Sequence, residues 1–155
     1  TIANEKLSEV LQKIDLLVIN ESEARQFTQT SNLIVAGERL LAKGPAHVII
    51  KLGEFGAILF GPDDSIFRFH AWPLREIVDP TGAGDTFAGG FAGYLTQTNN
   101  VSFNNLKNAI IHGSNLASFC VEKFGTERML DLDKKEIDNR LRQFAELTQF
   151  NIELK

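Results

Sequence analysis

Asp79-Pro80-Thr81-Gly82-Ala83-Gly84-Asp85-Thr86-Phe87 joins a short extended segment, residues 75–78, to a helix expected over residues 86–95. Gly82 and Gly84 mark a loop whose backbone can take angles closed to other residues and can approach a bound group closely. A loop that opens a helix directs free N–H groups outward at the positive end of the helix dipole, which makes a site for an anion. Asp85 falls in the first helical turn, where a carboxylate is electrostatically favourable. Capping alone would account for that aspartate, and glycine turns before helices are common. A carboxylate beside an anion-binding loop also meets the two needs of phosphoryl transfer to a hydroxyl: a base for the attacking oxygen and donors for the migrating charge.

Upstream of this stretch, apolar runs alternate with amphipathic ones. Residues 4–14 carry Leu7, Val10, Leu11 and Ile14 at helical spacing. Leu16-Leu17-Val18-Ile19 is continuously apolar, the pattern of a strand covered on both faces in a parallel sheet. Asn20 then offers an N-cap, and Glu23 completes a capping box. This pair stands at the carboxyl end of a strand, where open α/β sheets bind ligands. Helices are expected over residues 22–27 and 32–42, the second stopped by Lys43-Gly44-Pro45. Val48-Ile49-Ile50 reads as the next strand. Lys51-Leu52-Gly53-Glu54-Phe55-Gly56 reads as a turn, with Ala57-Ile58-Leu59-Phe60 as the returning strand. A lysine at such a strand end is usually solvated, though Lys51 would add positive charge to a site there. Residues 61–65 form a surface turn, and residues 66–70 alternate as a half-exposed strand.

Downstream, Phe87, Phe91, Tyr94 and Leu95 alternate with Ala88, Gly89, Gly90, Ala92 and Gly93. So many small residues weaken a helix intrinsically. They make sense if the helix packs closely on a neighbour, which would hold the motif loop rigid. A long helix is expected over residues 103–123, with His112 facing solvent and Cys120 in the core. Asp133-Lys134-Lys135-Glu136 is a second capping box and opens a final amphipathic helix. Buried strands alternating with helices predict an α/β fold with a mainly parallel sheet flanked by helices. Residues 56–70 add an antiparallel hairpin segment.

At 155 residues and 43% apolar composition, with 12 phenylalanines, the chain suits one domain with a packed core. A net charge of −4 argues against a nucleic-acid partner, which calls for a basic face. No apolar run approaches the roughly 20 residues of a membrane span, so no membrane partner is expected. No signal peptide is visible. A single cysteine forms no internal disulfide, so a cytoplasmic location is the expectation.

D-P-T-G-A-G-D-T-F closely resembles the C-terminal signature of the ribokinase-like (PfkB) carbohydrate kinase family. Other segments follow in that family's order. Asn20-x-x-Glu23 resembles its N-x-x-E motif, Leu52-Gly53-x-x-Gly56 its x-L-G-x-x-G segment, and Phe124-Gly125-Thr126 the glycine loop beside the adenine. The resemblance covers essentially the whole chain, and nothing here corresponds to the family's N-terminal half, with its lid, double-glycine signature and most of the sugar site. It therefore implies a partial ribokinase-like fold, residues 1–155 forming the C-terminal, ATP-binding and catalytic-base half. The implied reaction moves the γ-phosphate of ATP to a hydroxymethyl group of a sugar or related small molecule. Asp85 would be the base, and the N–H groups of Gly82, Ala83 and Gly84 would stabilise the transferring phosphoryl group. Asn20, Glu23, Lys51, Gly53, Gly56, Thr81, Ser114, Asn115 and Gly125 are the implied nucleotide-binding residues. Glu23, with Asn20, would place Mg²⁺ through water. Asp79 and Thr81 match positions that in many members help hold a monovalent cation, making K⁺ a candidate activator, although Pro80 sits where members vary. A nucleoside kinase of the same fold is one alternative. A nucleotide-binding module without catalysis is another, against which the intact Asp85 speaks. Such a half by itself is expected to be inactive toward an acceptor, and its exposed sheet edge makes a homodimer a candidate assembly.

Overall fold

The computed structural model describes residues 2–149 together with 151 and 152. It divides into two compact units, residues 1–71 and 72–155. The first unit contains α1 (Ile2–Leu11), β1 (Leu16–Asn20), α2 (Glu21–Thr28), α3 (Leu33–Leu41), β2 (His47–Lys51), β3 (Ala57–Phe60) and β4 (Ile66–Phe69). Its sheet runs in the order β1-β2-β3-β4. β1 and β2 pair in parallel, whereas β2–β3 and β3–β4 are antiparallel. The fold is α/β with the expected hairpin segment, and the sheet is mixed. Connection length sets the balance. Only β1 to β2 passes through α-helices, and short turns can join strands only in antiparallel fashion.

Local chemistry explains the elements. Asn20 accepts from the Glu23 N–H, and the Glu23 carboxylate accepts from the Asn20 N–H, so the capping box forms as read. Asn32 caps α3 through the N–H groups of Ile34 and Val35. Leu11, Ile19, Ala24, Leu40, Val48, Ile50 and Phe60 build a buried core on the helical face of the sheet. Helix α3 approaches the sheet through Gly37, where a Cβ would stand 2.5 Å from the Phe60 ring. Of the apolar face expected for the first helix, Leu11 is fully buried, while Leu7 and Val10 remain exposed. That helix ends at Leu11, and the Lys13 N–H turns back to the Val10 carbonyl.

The second unit is helical: α4 (Ala83–Thr98), α5 (Phe103–Cys120), α6 (Glu127–Leu130) and α7 (Lys134–Thr148). The small residues of α4 work as expected where they face α5. A Cβ at Gly90 would lie 3.1 Å from the Gly113 Cα, and one at Gly113 would lie 2.7 Å from the Phe87 carbonyl. The two backbones therefore meet where glycines stand on both helices. The capping box of Asp133 and Glu136 opens α7. Residues 75–78 are irregular backbone, not a strand. Among the described residues, no helix is long and apolar enough to cross a membrane.

Candidate functional site

The motif loop enters α4 earlier than periodicity suggests. Gly82 has φ +80°, the left-handed conformation that glycine takes without strain, and the helix begins at Ala83. The Gly82 carbonyl accepts the first helical hydrogen bond, from the Thr86 N–H at 2.8 Å. Ala83 donates its N–H to the Pro80 carbonyl at 3.2 Å. Among the described residues, the N–H groups of Gly84 and Asp85 have no partner. Ala83 is thus engaged within the loop, and its two successors present the free donors. Asp85 is exposed, and its carboxylate caps no backbone N–H of α4. Local hydrogen bonding therefore gives this side chain no structural task.

Asp79 has one. Its Oδ1 accepts the Thr81 N–H at 2.9 Å, and its Oδ2 accepts the Gly125 N–H at 3.2 Å. The Val78 N–H also donates to the Val121 carbonyl at 2.9 Å. Asp79 thereby ties the motif loop to the loop that carries Gly125, itself left-handed at φ +54°. Cys120 lies buried between the same loops, its Sγ 3.8 Å from the carbonyls of Thr81 and Gly125. The Thr81 side chain first, then the Thr81 and Gly125 N–H groups, hold the Asp79 carboxyl below its ordinary value. A depressed folded value means the unfolded chain binds more protons in the acid range, so this stabilisation is present above the ordinary carboxylate range and is lost as pH falls. Asp79→Asn is accordingly expected to show a shallower loss of melting temperature than wild type between about pH 5 and pH 3, and thermal melts across that range measure it.

In the first unit, Asn20 and Lys51 are direct partners at the carboxyl ends of the parallel pair. They line an open pocket of about 310 Å³ with Ser22, Arg25 and Gly53. The Asn20 Oδ1 is taken by the Ser22 hydroxyl and the Glu23 N–H, both at 2.8 Å. Lys51 makes no ion pair among the described residues, whereas Arg25 pairs with Glu21 at 2.6 Å. Ser22 and Arg25 were not singled out in the sequence. Their signal is position, within the first turns of a helix that starts at a strand's carboxyl end.

Gly53 and Gly56 part company. A Cβ at Gly53 meets nothing within 4 Å, and its φ is +59°. At Gly56, with φ +92°, a Cβ would fall 1.9 Å from the Phe69 carbonyl, so close backbone approach already requires that glycine. Ser114 and Asn115 are buried. Asn115 donates from Nδ2 to the Ile137 carbonyl at 3.0 Å, which ties α5 to α7. His112 does not face solvent freely, as the sequence suggested. It is half-buried and stacks on Tyr94 with ring centroids 4.3 Å apart. Burial lowers its pKa against an opposing pull from Asp138.

For Mg²⁺, the described residues hold no group of three or more acidic, histidine or cysteine ligands. An ion held mainly by water and phosphates needs only one or two protein carboxylates, and the exposed Glu23 fits that requirement. A monovalent cation at Asp79 would have to share oxygens that already accept from Thr81 and Gly125.

The cytidine kinase of Thermococcus kodakarensis is 41% identical over 91 residues, a match covering 57% of this chain and 32% of that protein. The ribokinase of Staphylococcus aureus is 32% identical over 130 residues, covering 81% of this chain and 41% of that protein. The crystal structure of aminoimidazole riboside kinase from Salmonella enterica, complexed with aminoimidazole riboside and an ATP analog, superposes with a TM-score of 0.75 at 27% identity. That superposition covers 92% of this chain and 46% of the other. The chain spans less than half the length of these relatives. The model of the pfkB family carbohydrate kinases matches residues 1–133, and the chain belongs to that family.

Proposed function

We propose that this chain supplies the C-terminal, ATP-binding and catalytic-base half of a phosphotransferase that acts on a hydroxymethyl group of a sugar or related small molecule. The observation that carries the reading is the motif loop. Gly84 and Asp85 offer unpartnered N–H groups at the start of a 16-residue helix, and the exposed Asp85 carboxylate stands beside them. In the proposed reaction the Asp85 carboxylate takes the proton of the acceptor hydroxyl. The acceptor oxygen bonds to the γ-phosphorus of ATP, the bond from that phosphorus to the β–γ bridging oxygen breaks, and ADP leaves. The loop N–H groups stabilise charge on the transferring group; fixed donors of this kind are worth about 2.7–4 kcal/mol each in other enzymes. Ala83, whose N–H is turned to Pro80, serves by shaping the loop. Gly125, Ser114 and Asn115 are assigned to the adenine side.

For the first unit, we assign Lys51, Gly53 and Asn20 to phosphate binding at the strand ends. Glu23 would hold Mg²⁺ through water, and the ion would neutralise phosphate charge. The cytidine kinase match favours carrying a nucleoside acceptor as the second reading.

The test is a calorimetric titration of the chain with Mg·ATP beside a coupled assay over pentoses, hexoses and nucleosides. Weak Mg·ATP binding without acceptor-dependent turnover is expected, because phosphoryl transfer depends on holding the acceptor in line. Robust acceptor-dependent turnover by this chain alone would place the acceptor site within these residues and refute the division proposed.

A further inference from the structure

A six-residue loop, residues 121–126, joins α5 to α6 and contains the left-handed Gly125. Two arginines outside the loop pair with its Glu122. Arg140, on α7, donates from Nη2 to the Glu122 Oε1 at 2.6 Å. Arg128, on α6, donates from Nε to the Glu122 Oε2 at 3.0 Å. Each carboxylate oxygen therefore has its own guanidinium. Both guanidiniums also lie against the Phe119 ring in the preceding turn, 3.4 Å and 5.2 Å from its centroid. The arginine side chains are only 13% and 15% exposed and Glu122 is 24% exposed, so this pairing is screened less than a surface ion pair.

The loop's other contacts lead to the motif. Val121 accepts from Val78, and Gly125 donates to Asp79, whose carboxylate also holds the Thr81 N–H. A displacement of residues 121–125 is therefore passed to residues 78–81, one step before the helix start that carries Asp85. We infer that Glu122, clamped by Arg128 and Arg140, is a positioning residue that sets the motif loop through the Gly125–Asp79 hydrogen bond. Its link to nucleotide affinity rests on the function proposed above. Its link to loop order does not.

The experiment uses the whole chain and two variants of the same loop. Glu122→Gln keeps the side chain's size and removes its charge. Lys123→Ala removes the neighbouring pair with Asp131, which is 44% and 56% exposed at its two ends and is a surface pair of ordinary kind. Amide hydrogen exchange is followed residue by residue, and Mg·ATP affinity is measured by calorimetry. For Glu122→Gln we expect exchange at Thr81 and Gly125 to accelerate about tenfold or more while the amides of β2 and β3 keep their rates, as for a local opening. The Mg·ATP dissociation constant should rise in step. Lys123→Ala should change neither quantity. Unchanged exchange at Thr81 and Gly125 in Glu122→Gln would overturn the inference. So would acceleration spread uniformly over every amide, which marks general destabilisation. If wild type fails to bind Mg·ATP while Thr81 and Gly125 still respond, the nucleotide reading falls and the positioning role of Glu122 stands.

Discussion

Asp85→Asn is expected to lower acceptor phosphorylation by about 10²–10⁴-fold in any preparation of this chain that shows it, and to leave the Mg·ATP dissociation constant unchanged. The asymmetry comes from the proposed role. The carboxylate acts on the acceptor hydroxyl, whereas the nucleotide is held by backbone N–H groups that the substitution leaves in place. The side chain makes no cap to α4 and is exposed, so the variant should melt close to wild type. Near-normal turnover would remove Asp85 from the chemistry and leave it an electrostatic companion of the helix terminus, worth about 0.3–1 kcal/mol. Steady-state kinetics with a parallel nucleotide titration separates the two outcomes.

The largest effect on stability is expected at Gly56. Alanine there must adopt φ +92° and place its Cβ 1.9 Å from the backbone carbonyl of Phe69. With ψ at −130° that backbone lies outside the left-handed α well, in a region essentially reserved for glycine, at a cost of roughly 1–3 kcal/mol. The clash is with main chain, so it can be relieved only by moving the end of β4, and about 1–3 kcal/mol more is expected from such overpacking. Gly53→Ala is the contrast. Its φ is also positive, but the added methyl meets nothing within 4 Å, so only the conformational cost applies. Urea denaturation of both variants should show Gly56→Ala much the weaker. Equal losses would mean that the close approach at Phe69 does not constrain the turn. The same pair divides two explanations for the glycines of this segment. Gly56 is required by packing, and only Gly53 leaves its surroundings open to a ligand.

What the sequence made legible was whatever depends on neighbours along the chain. Asn20 with Glu23 and Asp133 with Glu136 form the capping boxes that their three-residue spacing announces. The small residues of α4 announced a close helix–helix approach, and Gly90 and Gly113 provide it. Helix α4 begins three residues before its apolar periodicity indicates, because the left-handed Gly82 lets the helix begin immediately after it. Short α6 has four residues, too few to show a period. Long-range pairings were out of reach. Glu122 and Arg140 are 18 residues apart, and no local pattern distinguishes them from solvated charges. Asn115, expected beside a nucleotide, also donates to α7, since a helix's polar residue can face a partner helix as well as solvent. His112, expected to face solvent, likewise meets another helix and stacks on Tyr94 of α4.

In the proposed function the Gly82–Asp85 loop receives phosphate. The most direct test follows the backbone amide resonances of the isotopically labelled chain during titration with Mg·ATP. Saturable shifts are expected at Gly84 and Asp85, whose N–H groups are free among the described residues, with smaller shifts at Ala83, whose N–H is already bonded to Pro80. Saturable Mg·ATP binding that leaves Gly84 and Asp85 unmoved would contradict the proposed function.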